Sequence, residues 1–394
     1  MDLGISPPSN SYLTTEALAA REIWYPLKVM VCNQCWLVQT EDIVGAEEMF
    51  SEDYAYFSSF STTWVEHAKQ YVSNMFERFS IDKDCCVVEI AANDGYLLQH
   101  VKAKGTVCYG IEPTAGTAAA AREKGIEIIE EFFGIAMAQE LANEGRQADL
   151  TVANNVLAHV PDINDFVGGF ALLLKPGGVA TFEFPHLLRL VEKNQFDTIY
   201  HEHFSYLSLT AVKGIFSANG LEVFSIDELS THGGSLRVYA QRMDTGKQPV
   251  DNSVADILEI EENADIRSMS FYRGLQNRAL QIKIDFLSFL LDAHKQGKKV
   301  AAYGAAAKGN TMLNYAGVKP DLLPYVVDMN SAKQGKYLPG SRIPIVEESV
   351  LQKDKPDYIV ILPWNLKNEV MSQLAYIREW GGQFVTAVPG IEVQ

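Results

Sequence analysis

The chain has 394 residues, 47% of them hydrophobic, and carries 33 Lys and Arg against 50 Asp and Glu, a net charge of −17. That balance excludes a nucleic-acid binder and a protein of anionic membrane surfaces. No apolar run reaches a membrane span and no charged leader with an apolar core opens the sequence, so a cytoplasmic protein of two or three domains is expected. The cysteines, Cys32, Cys35, Cys85, Cys86 and Cys108, are too unevenly placed for a disulfide framework.

In chain order, Pro7, Pro8, Ser9 and Asn10 mark a loop. Residues 25–39 read as two short strands flanking Cys32-x-x-Cys35. Two thiolates at that spacing can take one face of a tetrahedral zinc, and a small apolar turn with reduced thiols is the alternative. Residues 51–61, rich in Tyr, Phe and Ser, are either a core-facing loop or a lid over a ligand. From 62 to 240 helix and strand alternate. Helices are predicted at 62–79, 114–124, 134–143, 163–173 and 208–219, and strands at 86–91, 107–111, 126–130, 149–154, 178–184, 221–227 and 235–241. Lys175-Pro-Gly-Gly178 is a turn signal before its strand. This alternation implies a largely parallel sheet with ligands at the carboxyl ends of its strands. Residues 253–296 are helical by period, acidic early (Glu259, Glu261, Glu262) and apolar late (284–291), and are expected to pack between domains. A second α/β unit comes next, opening with KVAAYGAAAKGN (299–310).

The organising stretch is VVEIAANDGYLL (87–98), a strand running through a small-residue loop into a helix. The next strand ends in Glu112. A carboxylate about 20 residues beyond such a loop can accept from both ribose hydroxyls. Ala91 and Asn93 stand where a dinucleotide fingerprint has glycines, so an adenosine ligand without a pyrophosphate fits better, and S-adenosylmethionine is one. Asn154 and Asn155, past the fourth strand, could contact its adenine or amino-acid end.

The densest proton-active set is Tyr200-His-Glu-His203, between aromatic neighbours and just after a sheet strand, where active sites collect. Histidine suits proton abstraction, tyrosine can donate to an oxyanion, and a carboxylate can fix an imidazole tautomer. Metal binding by His201 and His203 is the rival reading. His159 lies near the expected cofactor edge, as either a core histidine or a site residue. Lys308 at a helix start could meet a diphosphate together with backbone N–H groups.

With these residues in view, the chain resembles a known family. VEIAANDGYLL (88–98), ANNVLAHVP (153–161), TFEFPH (181–186), FDTIYHEHFSYL (196–207), THGGSLRV (231–238) and YGAAAKGNTMLN (303–314) are similar to the sugar C-methyltransferases, which act on nucleotide-activated 4-keto-deoxy sugars, over nearly the whole chain. The resemblance implies a zinc-binding-like region at 1–60 and a class I S-adenosylmethionine methyltransferase domain with a Rossmann-like sheet at 61–245. It implies a helical linker and a Rossmann-like nucleotide-sugar domain at 246–394. Glu89, Asn93, Gly95 and Glu112 match cofactor positions, with Ala91, Asp94 and Pro113 in the same loops. His203 matches the general base, Tyr200 and Glu202 sit with it, and Tyr54 and His159 face the sugar. Lys308 and its loop, with Tyr303, Gly304, Ala306 and Asn310, would hold the nucleotide diphosphate, and His186 and His201 are counted with the substrate. The family carries two Cys-x-x-Cys pairs. This sequence opens where the first has passed, so Cys32 and Cys35 are half of a zinc site.

The activity implied by the resemblance is methylation of a TDP- or GDP-linked 4-keto-6-deoxy sugar in deoxysugar biosynthesis, at C3 or C5, by a monomer or small homo-oligomer. His203 would remove the proton that the C4 ketone acidifies, and Tyr200 or His159 would donate to the enolate oxygen. An O- or N-methyltransferase, a nucleotide-sugar oxidoreductase using a nicotinamide, and a non-catalytic binding protein are the alternatives.

Overall fold

The computed structural model describes residues 1–41, 45 and 57–394. Tyr54 and residues 51–56 of the proposed lid lie outside the described residues. Among the described residues three sheets organise the chain. The first starts with β1 (Asp2–Ser6), β2 (Tyr25–Val31) and β3 (Val38–Thr40), all antiparallel. In β2, Leu27 and Val29 face inward while Pro26, Lys28 and Met30 are exposed, the period of two expected of a half-buried strand.

The central sheet is built from β4 (Cys86–Ile90), β5 (Val107–Ile111), β6 (Glu127–Ile129), β7 (Ala148–Asn154) and β8 (Leu174–Pro185). The next strand, β9 (Ser205–Tyr206), leaves it to pair with β3 in the N-terminal sheet, and β10 (Leu221–Leu229) and β11 (Ser235–Arg242) return. Its spatial order is β10-β11-β8-β7-β4-β5-β6, parallel except for β11, which runs against both neighbours. The chain moves outward from β4 to β5 and β6, then crosses to β7 on the other side of β4. Loops after β4 and β7 therefore diverge and open a crevice at the carboxyl edge. Val87, Val88, Leu150 and Val152 are buried, as in a strand covered on both faces. The turn expected at 175–178 is an irregularity within β8, between Leu174 paired to Ala148 and Val179 paired to Leu150, with Gly177 at φ 78°.

The third sheet contains β12 (Val300–Tyr303), β13 (Val326–Val327), β14 (Ile345–Val346), β15 (Tyr358–Ile361), β16 (Gln383–Thr386) and β17 (Glu392–Val393), in the order β14-β13-β12-β15-β16-β17. Its switch point lies between β12 and β15, which brings the loop after Tyr303 beside the one after Ile361.

The linker helices bind the domains. Leu275–Lys295 buries Leu275, Ala279, Ile282, Phe286, Leu290 and Ala293 along one stripe. That stripe joins residues of the N-terminal and C-terminal sheets in one hydrophobic cluster. An earlier helix, Asn252–Asn263, inserts Glu261, which is fully buried. Glu261 accepts from the Leu209 and Thr210 amides at 2.6 and 2.7 Å and lies 2.7 Å from His186 Nε2. The first two N–H groups of the helix Leu209–Ala218 thus find their acceptor on another helix, while the Ser208 hydroxyl caps the Ala211 amide. Among the described residues no helix is long and apolar enough to cross a membrane.

Candidate functional site

At the end of β4 the chain turns through Ala91, Asn93 and Gly95, all with positive φ (57°, 50° and 74°). Asn tolerates that region, and at Gly95 a Cβ would fall 2.4 Å from the Ile126 side chain. Glu112, at the end of β5, clamps the turn: Oε2 accepts from the Asn93 amide at 2.9 Å and Oε1 from the Thr114 amide at 3.0 Å. Each oxygen retains a lone pair for an incoming hydroxyl. At the end of β7, Asn154 is 8% exposed, and neither amide atom has a hydrogen-bond partner among the described residues. An unsatisfied buried amide is costly and points to a polar ligand. Next to it, Asn155 (φ 53°) places its Nδ2 3.2 Å from His232 Nε2.

These groups line a cavity of about 340 Å³. The same cavity is lined by His159, Tyr200, Glu202, His203, Ala306 and Lys308, so the elements read separately in the sequence share one space. His203 Nδ1 is 2.9 Å from the Thr198 carbonyl. A carbonyl only accepts, so Nδ1 carries the proton and Nε2 the lone pair. Burial, reinforced by neighbouring His159, pushes the His203 pKa well below its ordinary value, and the ring is neutral at pH 7. Its centroid lies 4.5 Å from that of His159 and 4.0 Å from that of Tyr200. Burial lowers His159 to about 4, against a hydrogen bond with the Glu202 backbone. Glu202, also buried, is pushed up to about 7 by desolvation, against donors from Asn10 and the charge of Lys333.

On the C-terminal side the loop after β12 leads into the helix Ala307–Ala316, whose N-cap, Ala306, makes no side-chain cap. Its first amides and Lys308 suit an anion. Lys308 Nζ donates to Asn365 at 2.7 Å and sits 4.7 Å over Trp364. Burial lowers its pKa, opposed by Asp197. Gly304 makes the turn possible: at φ 89°, a Cβ there would stand 2.5 Å from Pro363. Gly304→Ala is expected to destabilise the fold by about 1–3 kcal/mol, measurable by chemical denaturation.

Several sequence assignments are corrected. His186 does not line the cavity; it is buried against Glu261. His201 contacts the Pro26 carbonyl at 3.0 Å and tethers the β2 strand. Asn310 is buried and donates to the Ser9 carbonyl. The Tyr303 hydroxyl donates to Gln373 at 3.1 Å, away from the cavity lining. Gly304 shapes its loop without lining the cavity. Glu89, at the end of β4, and Asp94 and Gly95, within the first loop, do not line the cavity. Burial raises the Glu89 pKa well above its ordinary value, and Asp94 lies 3.4 Å from Lys124. Ala91, Asn93, Glu112, Pro113, Asn154 and Asn155 do line it.

The sequence reading gave no role to Asn10, Trp64, His232 and Lys333, which also line the cavity. Only His232, inside the THGGSLRV stretch, carried a signal. Its backbone is left-handed (φ 53°, ψ 22°), and Trp64 packs against its ring at 5.3 Å.

Cys32 and Cys35 form a tight turn in which the Cys35 and Gln34 amides donate to the Cys32 sulfur and lower its pKa. Among the described residues no group of three or more potential ligands surrounds them. Two thiols do not close a structural zinc site, so by themselves they do not fit the metal.

Comparison with known proteins gives three matching domain descriptions. They are "C-methyltransferase C-terminal domain" over 230–389, "Methyltransferase domain" over 64–226 and "Putative zinc binding domain" over 1–50. C-methyltransferase NovU of Streptomyces niveus is 32% identical over 389 residues, 99% of this chain and 92% of that protein. Among solved structures, magnesium protoporphyrin IX methyltransferase of Synechocystis PCC 6803 with bound SAM has a TM-score of 0.34 at 16% identity, covering 46% of this chain and 81% of that one. A S-adenosylmethionine-dependent methyltransferase of Clostridium acetobutylicum has a TM-score of 0.37 at 12% identity, covering 46% and 92%.

Proposed function

On the premise that this chain belongs to the C-methyltransferase family and is an S-adenosylmethionine-dependent enzyme with the class I Rossmann-like fold, we propose that it methylates a nucleotide-linked 4-keto-6-deoxy sugar at C3. One observation carries this reading: a buried imidazole whose Nδ1 is turned to the Thr198 carbonyl, which makes Nε2 its basic nitrogen, lines the same cavity as a carboxylate-clamped loop and an uncapped, lysine-bearing helix start.

The residues present fit the cofactor. Glu112 offers paired lone pairs for ribose hydroxyls, and Asn154 offers an unsatisfied amide. When bound, S-adenosylmethionine would supply an activated methyl group, its S–CH3 bond breaking to leave a neutral thioether as the acceptor carbon takes the methyl. The protein's own work is to make that carbon nucleophilic and align it. The ketone at C4 acidifies the C3 hydrogen, and His203 Nε2 takes that proton, becoming imidazolium as the charge moves to the carbonyl oxygen. Tyr200 or neutral His159 donates to that oxygen. Lys308 and the helix amides hold the diphosphate, and their charge favours the anionic ligand.

The test is product mass spectrometry with TDP- and GDP-linked 4-keto-6-deoxy sugars and S-adenosylmethionine. One added methyl on carbon is expected, with loss of the C3 hydrogen. Methylation confined to an oxygen or nitrogen acceptor, with every keto sugar inert, would refute the reading.

A further inference from the structure

The N-terminal segment reaches into the cavity. Asn10 lines it, and its Nδ2 donates to Glu202 Oε2 at 2.5 Å, across 192 residues of sequence. The segment is seated on the C-terminal domain at several points. The Ser9 carbonyl accepts from Asn310 at 2.6 Å, and the Tyr12 hydroxyl donates to the Ala305 carbonyl at 2.6 Å. Lys333 donates to the same carbonyl at 2.8 Å, and Leu13 exchanges backbone hydrogen bonds with Tyr337. The residues flanking Asn10 are therefore fixed by Ala305 and by Asn310 of the helix that carries Lys308, while the Asn10 amide holds the carboxyl next to His203 in the chain. A residue frozen on both sides, with its polar end in the cavity wall, is placed to orient a neighbour.

We propose that Asn10 is a positioning residue for the acceptor: it fixes Glu202 so that the remaining lone pairs of that carboxyl face a hydroxyl of the bound sugar. The N-terminal region thereby completes the acceptor site. This rests on the keto-sugar reading of the cavity. The groups facing Glu202 are Asn10 and Tyr12 from the N-terminal segment and Lys333 from the C-terminal domain, with Asp328 4.0 Å from Lys333, and His159 on its backbone. Asn10 and Lys333 favour the ionised carboxylate, opposing burial; removing the Asn10 donors shifts its titration to higher pH.

The experiment compares Asn10→Ala and Asn10→Ser in the wild-type and Glu202→Gln backgrounds, using a TDP-linked 4-keto-6-deoxy sugar, with S-adenosylmethionine affinity from calorimetry. For Asn10→Ala, kcat/KM for the sugar should fall by about tenfold or more, with cofactor affinity unchanged and the acid limb of the pH profile moved upward. Asn10→Ser, which keeps a donor and the fold, should recover part of the loss. In the Glu202→Gln background the alanine change should add nothing. Unchanged kcat/KM in Asn10→Ala, or an equal loss in both backgrounds with the pH limb unmoved, would overturn the proposal. A wild-type protein inert toward every TDP- and GDP-linked keto sugar would overturn both readings, whereas an active wild type with an unaffected Asn10→Ala overturns this one alone.

Discussion

Replacing His203 with alanine is expected to slow methyl transfer by about 10²–10⁴-fold, the usual contribution of a positioned general base, while S-adenosylmethionine binds as before. The ring is neutral because burial penalises its charged form, and its tautomer is set by the Thr198 carbonyl. The lone pair is thus available on Nε2 at neutral pH without a second base to withdraw a proton. His203→Asn separates this role from packing. Its amide can still donate to Thr198, so it should fold like the wild type and be as slow as the alanine variant. Deuterium exchange at C3 of the sugar in D₂O, followed by NMR, checks the same step. Exchange at the wild-type rate in either variant would assign proton abstraction elsewhere.

The second large effect concerns folding. Glu261→Ala should destabilise the chain by about 3–5 kcal/mol, because it leaves His186 and the first amides of the helix Leu209–Ala218 buried without their acceptor. Burial acts to raise the Glu261 pKa, but the hydrogen bond and charge of His186, together with Thr210, outweigh it and hold the carboxyl below its ordinary value. The folded chain then binds this proton less readily than the unfolded one. The stability it confers is complete above the unfolded glutamate value of about 4.3 and fades as pH falls through the lowered folded value. Urea titrations should give a wild-type-to-Glu261→Ala gap that is constant near neutrality and closes in acid. A gap that is small at pH 7 would contradict the account.

Much of the architecture was legible because it is written locally. The helix predicted at 163–173 is Ile163–Leu173, with the Asp162 side chain accepting from two amides at its start, and the strand predicted at 107–111 is Val107–Ile111. Glu112 and His159 could be placed at the cavity because they closely follow β5 and β7, where a parallel sheet collects ligands, and His203 because it stands in a run of proton-active side chains. His186, His201 and Asn310 carry the same chemistry on paper. Their partners lie 75, 175 and 301 residues away, and nothing local says that a buried Glu261 or a carbonyl will occupy them. Asn10 and Lys333 were missed for the converse reason: each is an ordinary loop residue until a distant segment closes on it.

The strand β9 begins two residues after His203 and serves as the outer edge of a sheet whose other members come from the first forty positions. A ribosome finishes β1 to β3 long before residue 206 emerges, so this sheet must wait with an open edge for most of the central domain to be made. Exchanging the first forty residues between relatives would therefore also alter the backbone that anchors His203, through the Thr40 hydroxyl on the His203 carbonyl at 2.9 Å. For chimeras, residues 1–41 and 203–206 are one inheritable block despite lying half a chain apart.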